Sequence, residues 1–304
     1  MEIKNVSIIG MGALGLLYAD FITTHYPEGK VSFIMDAKRA AKYKKQQFFI
    51  NKKPVNFNII TLDEAKPADL IFVAVKYTGL KQAIEDMACA VGPNTIIMSV
   101  LNGISSEELL AKKYPVENIV YTVAQGMDAM KFGNSLDFTQ MGRLHFGMTD
   151  KTSPEAVNSV KTFFEKIGMP HVYEEDILWR MWFKFMLNVG VNQTCMLYNT
   201  TYHGVLTKGE PNRTLVGAMR EVETIANAKG IKLTEADLNK CIEIESTLDP
   251  NGTPSMGQDR INKKASEVEM FAGKIIELGK ELNILVPVNE FIYEGVKEIE
   301  KEYV

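Results

Sequence analysis

The chain of 304 residues is 46% hydrophobic and 24% charged, and its 34 Lys and Arg against 38 Asp and Glu leave a formal net charge of −4. At roughly 100–200 residues per domain this length predicts two domains, and a mildly acidic chain has no global field for holding nucleic acid or an anionic membrane. Three scattered cysteines (Cys89, Cys195, Cys241) form no CxxC pair, and four dispersed histidines (His25, His145, His171, His203) lack paired-ligand spacing; we expect no disulfide framework, no metal site, and a reducing, cytoplasmic compartment.

In chain order, Val6–Ile9 is a short β-branched run that leads at once into Gly10-Met11-Gly12-Ala13-Leu14-Gly15. The apolar positions that follow (Leu14, Leu17, Tyr18, Phe21, Ile22) recur at helical spacing, which predicts strand, tight turn and helix in succession. The stretch Val6–Ala19 is apolar enough to resemble the core of a secretory signal. However, no basic excess precedes it, glycines interrupt it, and it falls short of the about 20 apolar residues needed to cross a bilayer. We read it instead as a dinucleotide fingerprint. Gly10 allows the turn, Gly12 admits a pyrophosphate to the backbone, and Gly15 lets helix and strand approach. The anion would sit at the helix N-terminus, on the backbone of Gly10, Gly12, Ala13, Leu14 and Gly15, where unpaired N–H groups and the helix dipole favour negative charge.

A second apolar run, Val31–Met35, ends in Asp36. A carboxylate there would accept hydrogen bonds from the ribose 2′-OH of NAD and repel the 2′-phosphate of NADP. Lys38 and Arg39 follow immediately, and an arginine near this loop accommodates that phosphate, so both cofactors stay open at this point.

Leu70–Val75 and Thr95–Val100 are continuous apolar runs of the kind found in parallel strands covered on both faces. Lys76 follows the first and Leu101-Asn102-Gly103 the second. Ligands of open α/β sheets bind outside the carboxyl ends of the strands, which puts Lys76 and Asn102 where cofactor or substrate would lie. Tyr77 and Lys81 share the spacing of a short-chain dehydrogenase pair but read as the start of a helix. Further strands are expected in Ile119–Gly147 and at Met169–Tyr173. After Glu174 the pattern turns helical, which divides the chain into a domain over 1–174 and one over 175–304.

Within Trp179–Thr194, Lys184, Asn188 and Asn192 stand at i, i+4 and i+8 on one face, and the residues around them (Trp182, Phe183, Phe185, Met186, Leu187, Val189, Val191) are nearly all apolar. A buried polar stripe must be satisfied or used, because one unsatisfied amide costs about 1–3 kcal/mol and an unpaired ammonium more. Downstream, Ser255 is expected to cap a helix running on to Leu282, with Asp259 in its first turns and Glu267 near the same face.

Taken together these motifs (GMGALG, Lys76 after LIFVAV, LNG at Leu101–Gly103, W-x-K-x-x-x-N-x-x-x-N from Trp182, SMGQD from Ser255, and Glu267 within SEVE) resemble the ketopantoate reductases over essentially the whole chain. The resemblance implies an α/β N-terminal Rossmann domain with a parallel sheet, an all-α C-terminal domain, and a cleft between them. It implies reduction of 2-dehydropantoate to (R)-pantoate by NADPH in pantothenate biosynthesis, with NAD an alternative because Asp36 stands where the family usually has arginine. By the same resemblance Lys184 donates the proton and Glu267 joins it as a catalytic residue. Lys76, Asn188, Asn192 and Ser255 bind substrate, and Asp36, Arg39, Lys76 and Asn102 border the cofactor. A helical C-terminal domain would also offer a face for a homodimer. Two further readings remain: a related D-2-hydroxyacid dehydrogenase acting on another branched or aromatic 2-keto acid, which Asp36 and Tyr202 favour, and a non-catalytic NAD(P) sensor.

Overall fold

A computed structural model describes residues 1–303, and the chain divides into two compact units, one formed by 1–102 with 106–177 and the other by 103–105 with 178–304. The first unit opens with β1 (Asn5–Ile9), α1 (Ala13–His25), β2 (Lys30–Met35) and α2 (Ala37–Tyr43). Three short strands follow, β3 (Phe48–Ile50), β4 (Lys53–Val55) and β5 (Ile59–Thr61), and then β6 (Leu70–Val73), α3 (Leu80–Asp86), β7 (Ile96–Ser99) and α4 (Ser106–Ala111). The unit closes with β8 (Tyr121–Met127), β9 (Met130–Phe132), β10 (Ser135–Asp137), β11 (Met141–Gly147), α5 (Pro154–Ile167) and β12 (His171–Glu174).

Its main sheet is all parallel in the order β5-β2-β1-β6-β7, with Val6 opposite Val31 on one side of β1 and opposite Leu70 on the other. The continuous apolar runs are explained by two cores. Along β6, Leu70 and Phe72 join the core that packs α1 and α5, whereas Ile71 and Val73 join the core that packs α3; Ile96 and Met98 divide from Ile97 in the same way along β7. With both faces covered the runs are apolar throughout their centres, and the one polar side chain of β7, Ser99, is buried and hydrogen-bonded. Strand order reverses between β1 and β6, and that switch point is where open α/β sheets bind ligands.

The short strands of the 46–61 region and the β9–β10 hairpin are not legible in the sequence. They assemble into a separate sheet ordered β4-β3-β10-β9, while β12-β11-β8 form a third. Tyr77–Gly79 forms a 3₁₀ turn into α3, as the helix-start reading of that segment expects.

The second unit is helical: α6 (Ile177–Tyr198), α7 (Tyr202–Leu206), α8 (Glu210–Ala228), α9 (Glu235–Ser246), α10 (Ser255–Ile261), α11 (Lys274–Leu282) and α12 (Pro287–Lys301). α6 is its buried axis, with Trp182, Phe183, Phe185, Met186, Val189, Val191 and Met196 all in the interior.

One expectation is overturned here. Ser255 does not cap a helix that reaches Leu282. Pro254 occupies the cap position and Ser255 is the first helical residue. The helix stops at Ile261, where Lys263 takes a left-handed φ of 50° and Lys264 N–H bonds back to Asp259 C=O at 2.9 Å. The cause is compositional: Asn262-Lys263-Lys264 offers no apolar side chain to bury, so nothing holds the next turn against the core. Glu267 therefore lies off that helix, just before a π turn over Glu269–Gly273 that closes with Gly273 N–H to Val268 C=O at 2.9 Å. Among the described residues no helix is long and apolar enough to cross a membrane, and no group of three or more His, Cys, Asp or Glu could hold a metal ion.

Candidate active site

The first unit gathers its set at the carboxyl edge of the parallel sheet. Gly10 follows β1 with φ of 108°, a conformation L side chains avoid, and a Cβ there would stand 2.5 Å from Ala74 C=O. A Cβ on Gly15 would come within 2.0 Å of Gly10 C=O, so helix and strand could not meet. Gly12 is different. Its φ of −76° suits any residue, and a Cβ would make only ordinary contact, at 3.6 Å from Ala74 C=O. Nothing within the chain requires glycine there, whereas a pyrophosphate lying on the backbone would. Gly12 is also the N-cap of α1 and supplies no side-chain cap, which leaves the first-turn N–H groups of Ala13, Leu14 and Gly15 for an anion. These residues fit a dinucleotide.

At the end of β2, Asp36 caps α2 by accepting from the Arg39 backbone N–H at 2.8 Å. The Arg39 guanidinium turns back onto the same carboxylate through Nε and reaches Asp86 Oδ2 with Nη2 at 2.9 Å. Asp86 is buried and also accepts from Gln82 at 2.7 Å. The hydrogen bonds from Arg39 hold the Asp36 carboxyl below its ordinary range, and those same contacts hold the guanidinium's pKa up. The trio thus carries one positive and two negative charges. Lys76 opens the turn after β6, and Asn102 follows β7.

The second unit holds the other set on α6. Lys184, Asn188 and Asn192 share one face, with Asn188 and Asn192 only 6% and 7% exposed. Asn192 Nδ2 donates to Ser255 Oγ at 3.5 Å, so Ser255 meets α6 from the start of α10. Asn188 Nδ2 is buried and has no hydrogen-bond partner in the protein, an expensive state that a bound acceptor would relieve. Lys184 keeps part of its surface open, yet its ammonium is enclosed densely enough that burial pulls its pKa down to about 8; Glu267 opposes that fall and Arg180 adds to it. The structure therefore brings Lys184, Asn188, Asn192, Ser255 and Glu267 into one neighbourhood from three segments of the chain.

Two positioning residues escaped the sequence reading. Gln193 is fully buried, donates to Val189 C=O at 2.9 Å, and accepts from Ala272 N–H at 2.8 Å, which ties α6 to the π turn after Glu267. Arg260 donates to Leu197 C=O at 2.8 Å and also to Met196 C=O, closing the carboxyl end of α6 with a side chain from α10. A glutamine inside an otherwise apolar helix was the available signal for the first; the second has none in sequence.

The model of "Ketopantoate reductase PanE/ApbA" matches residues 6–151, and that of its C-terminal part matches residues 176–300. A 2-dehydropantoate 2-reductase of Aquifex aeolicus is 25% identical over 300 residues, 95% of each chain, and one from Streptococcus pyogenes is 23% identical over 235 residues, 77% of this chain and 76% of that one. Among solved structures, a complex of D-mandelate dehydrogenase with NADH superposes with a TM-score of 0.86 at 21% identity, covering 99% of this chain and all of that one. A dimeric ketopantoate reductase from Staphylococcus aureus gives 0.81 at 19% identity, with 99% and 100% covered. With both family models matched in order along nearly the whole chain, the protein belongs to the ketopantoate reductase family of NAD(P)H-dependent 2-keto acid reductases.

Proposed function

We propose that the protein reduces the ketone of a 2-keto acid to the D-2-hydroxy acid, with ketopantoate as its substrate and Lys184 as proton donor. A bound reduced dinucleotide supplies the hydride. As hydride adds to the keto carbon, the C=O π pair moves onto oxygen, and an ammonium aimed at that oxygen is worth more in the transition state than before it. Lys184 then gives up a proton to form the hydroxyl. A lysine held near pKa 8 is better matched to this task at neutral pH than one near its ordinary 10.5. Glu267 keeps the ammonium protonated against the full effect of burial, and Asn188, Asn192 and Ser255 bind and orient the keto acid. The observation that carries the reading is the enclosed Lys184 ammonium on the same face of α6 as the unsatisfied Asn188 amide.

For the cofactor, the Asp36–Arg39–Asp86 arrangement favours NADH. The one guanidinium available to a 2′-phosphate is already shared by two carboxylates, and Asp36 would face that phosphate with like charge. A second keto acid class is favoured by Tyr202, whose N–H bonds Gly252 C=O at 3.0 Å just ahead of Pro254 and Ser255, placing an aromatic ring beside the segment that brings Ser255 to Asn192. Purified protein with NADH or NADPH and a panel of 2-keto acids, followed by loss of nicotinamide absorbance, tests both points. We expect fastest turnover with ketopantoate and NADH. Preference for an aromatic keto acid selects the second class, and dinucleotide binding without turnover on any keto acid contradicts the reading.

A further inference from the structure

Beneath the segment that carries Asn102 lies a group of buried polar side chains that the proposed reaction does not use. The segment leaves β7 at Ser99 and enters α4 at Ser106. Ser99 Oγ donates to Ser106 Oγ at 2.8 Å, and Ser106 Oγ donates to Glu107 Oε2 at 2.9 Å. The Leu101 N–H donates to Ser99 Oγ at 3.4 Å. The relay thus joins both ends of the segment and grips its backbone one residue before Asn102.

All three side chains are shut away from water: Ser99 is 0%, Ser106 3% and Glu107 1% exposed. Burying a carboxyl is costly unless its hydrogen bonds do something that an apolar side chain of the same size would not. Burial raises the Glu107 carboxyl to about 7, and the neighbouring Glu108 pushes the same way. Tyr121, at the start of β8, lies close enough for Glu107 to raise its own pKa. The chain accepts this cost at the end of β7, just ahead of Asn102, which the family resemblance sets near the nicotinamide.

We propose that Glu107 is a positioning residue for the nicotinamide half of the dinucleotide, acting through Ser106 and Ser99 to fix the backbone that presents Asn102. The proposal rests on the reading that the first unit binds NAD(P)H. It predicts an effect on one end of the cofactor only, because the pyrophosphate and adenosine ends are held by the Gly10–Gly15 turn and the end of β2.

The test compares binding of NADH and NADPH with binding of ADP-ribose and its 2′-phosphate, which lack the nicotinamide, in wild type, Glu107→Met, Ser99→Ala and Glu107→Gln. Met keeps the bulk of Glu107 but removes the acceptor, Ala removes the hydroxyl that holds Leu101 N–H, and Gln keeps an acceptor for Ser106. Expected is a loss of about tenfold in NAD(P)H affinity for Glu107→Met and Ser99→Ala, roughly 1.4 kcal/mol. ADP-ribose binding should be unchanged in both, and Glu107→Gln should restore NAD(P)H binding. Equal weakening of both ligand classes, or no weakening in either variant, overturns the proposal. If Glu107→Met does not fold, Ser99→Ala decides the question alone. If wild type binds neither ligand class, the dinucleotide reading itself fails, an outcome distinct from failure of the relay.

Discussion

The glycine turn after β1 and the polar stripe of α6 prepare for ligands in opposite ways. At the turn the chain removes side chains. Gly10 and Gly15 let backbone approach backbone, Gly12 leaves a surface that nothing in the protein fills, and no ionisable group takes part. On α6 the chain adds polar side chains to a helix that is otherwise mostly apolar, and the proposed chemistry depends on the charge state of one ammonium. The first is a matter of shape and is insensitive to pH, whereas the second is a matter of electrostatics and is set by what surrounds it. Damage to the two should therefore look different.

The largest effect is expected on α6. Lys184→Ala should lower kcat by at least about 10²-fold, the scale for losing a general acid, while dinucleotide affinity measured by titration is retained. A kcat near wild type at saturating substrate would remove Lys184 from the chemistry. At the glycine turn the expected effects are smaller and split by position. Gly15→Ala forces a Cβ to within 2.0 Å of Gly10 C=O, and we expect about 1–3 kcal/mol of lost stability in denaturant titration, the usual cost of overpacking. Gly12→Ala meets nothing closer than 3.6 Å, so its unfolding midpoint should match wild type while dinucleotide affinity falls. If Gly12→Ala instead loses stability as Gly15→Ala does and keeps its dinucleotide affinity, the glycines serve packing alone.

The contrast also explains what could be read in advance. Strand, glycine turn, helix and Asp36 lie within the first thirty-six residues, so local spacing is enough to read the first candidate site. Lys184, Asn188 and Asn192 were legible for the same reason, being one helical face. Ser255 and Glu267 were legible as residues but misplaced in structure. Whether a helix continues past Ile261 depends on whether its next turn has something to bury, which is a property of the fold and not of the spacing. The Arg39 clasp illustrates the same limit. Arg39 and Asp36 are near neighbours in sequence, but Asp86, which takes the other side of the guanidinium, comes from the end of α3. Glu107 was invisible because a buried polar side chain declares itself only once its burial is known, and Gln193 was signalled only by its place in a mostly apolar helix, since its partner Ala272 is remote in sequence.

The most direct test of Lys184 as proton donor is the pH dependence of kcat in wild type and Glu267→Gln. A proton donor acts in its charged form. A pKa lowered to about 8 means that form is present below about pH 8 and is lost as pH rises through that value. Wild-type kcat should therefore hold on the acid side and fall above about pH 8. Glu267 favours the charged lysine, so replacing it with glutamine should lower the lysine pKa further and move the falling limb to lower pH. A falling limb that stays in place when Glu267 is neutralised, or a kcat that rises through pH 8, would contradict the assignment of Lys184 as the acid.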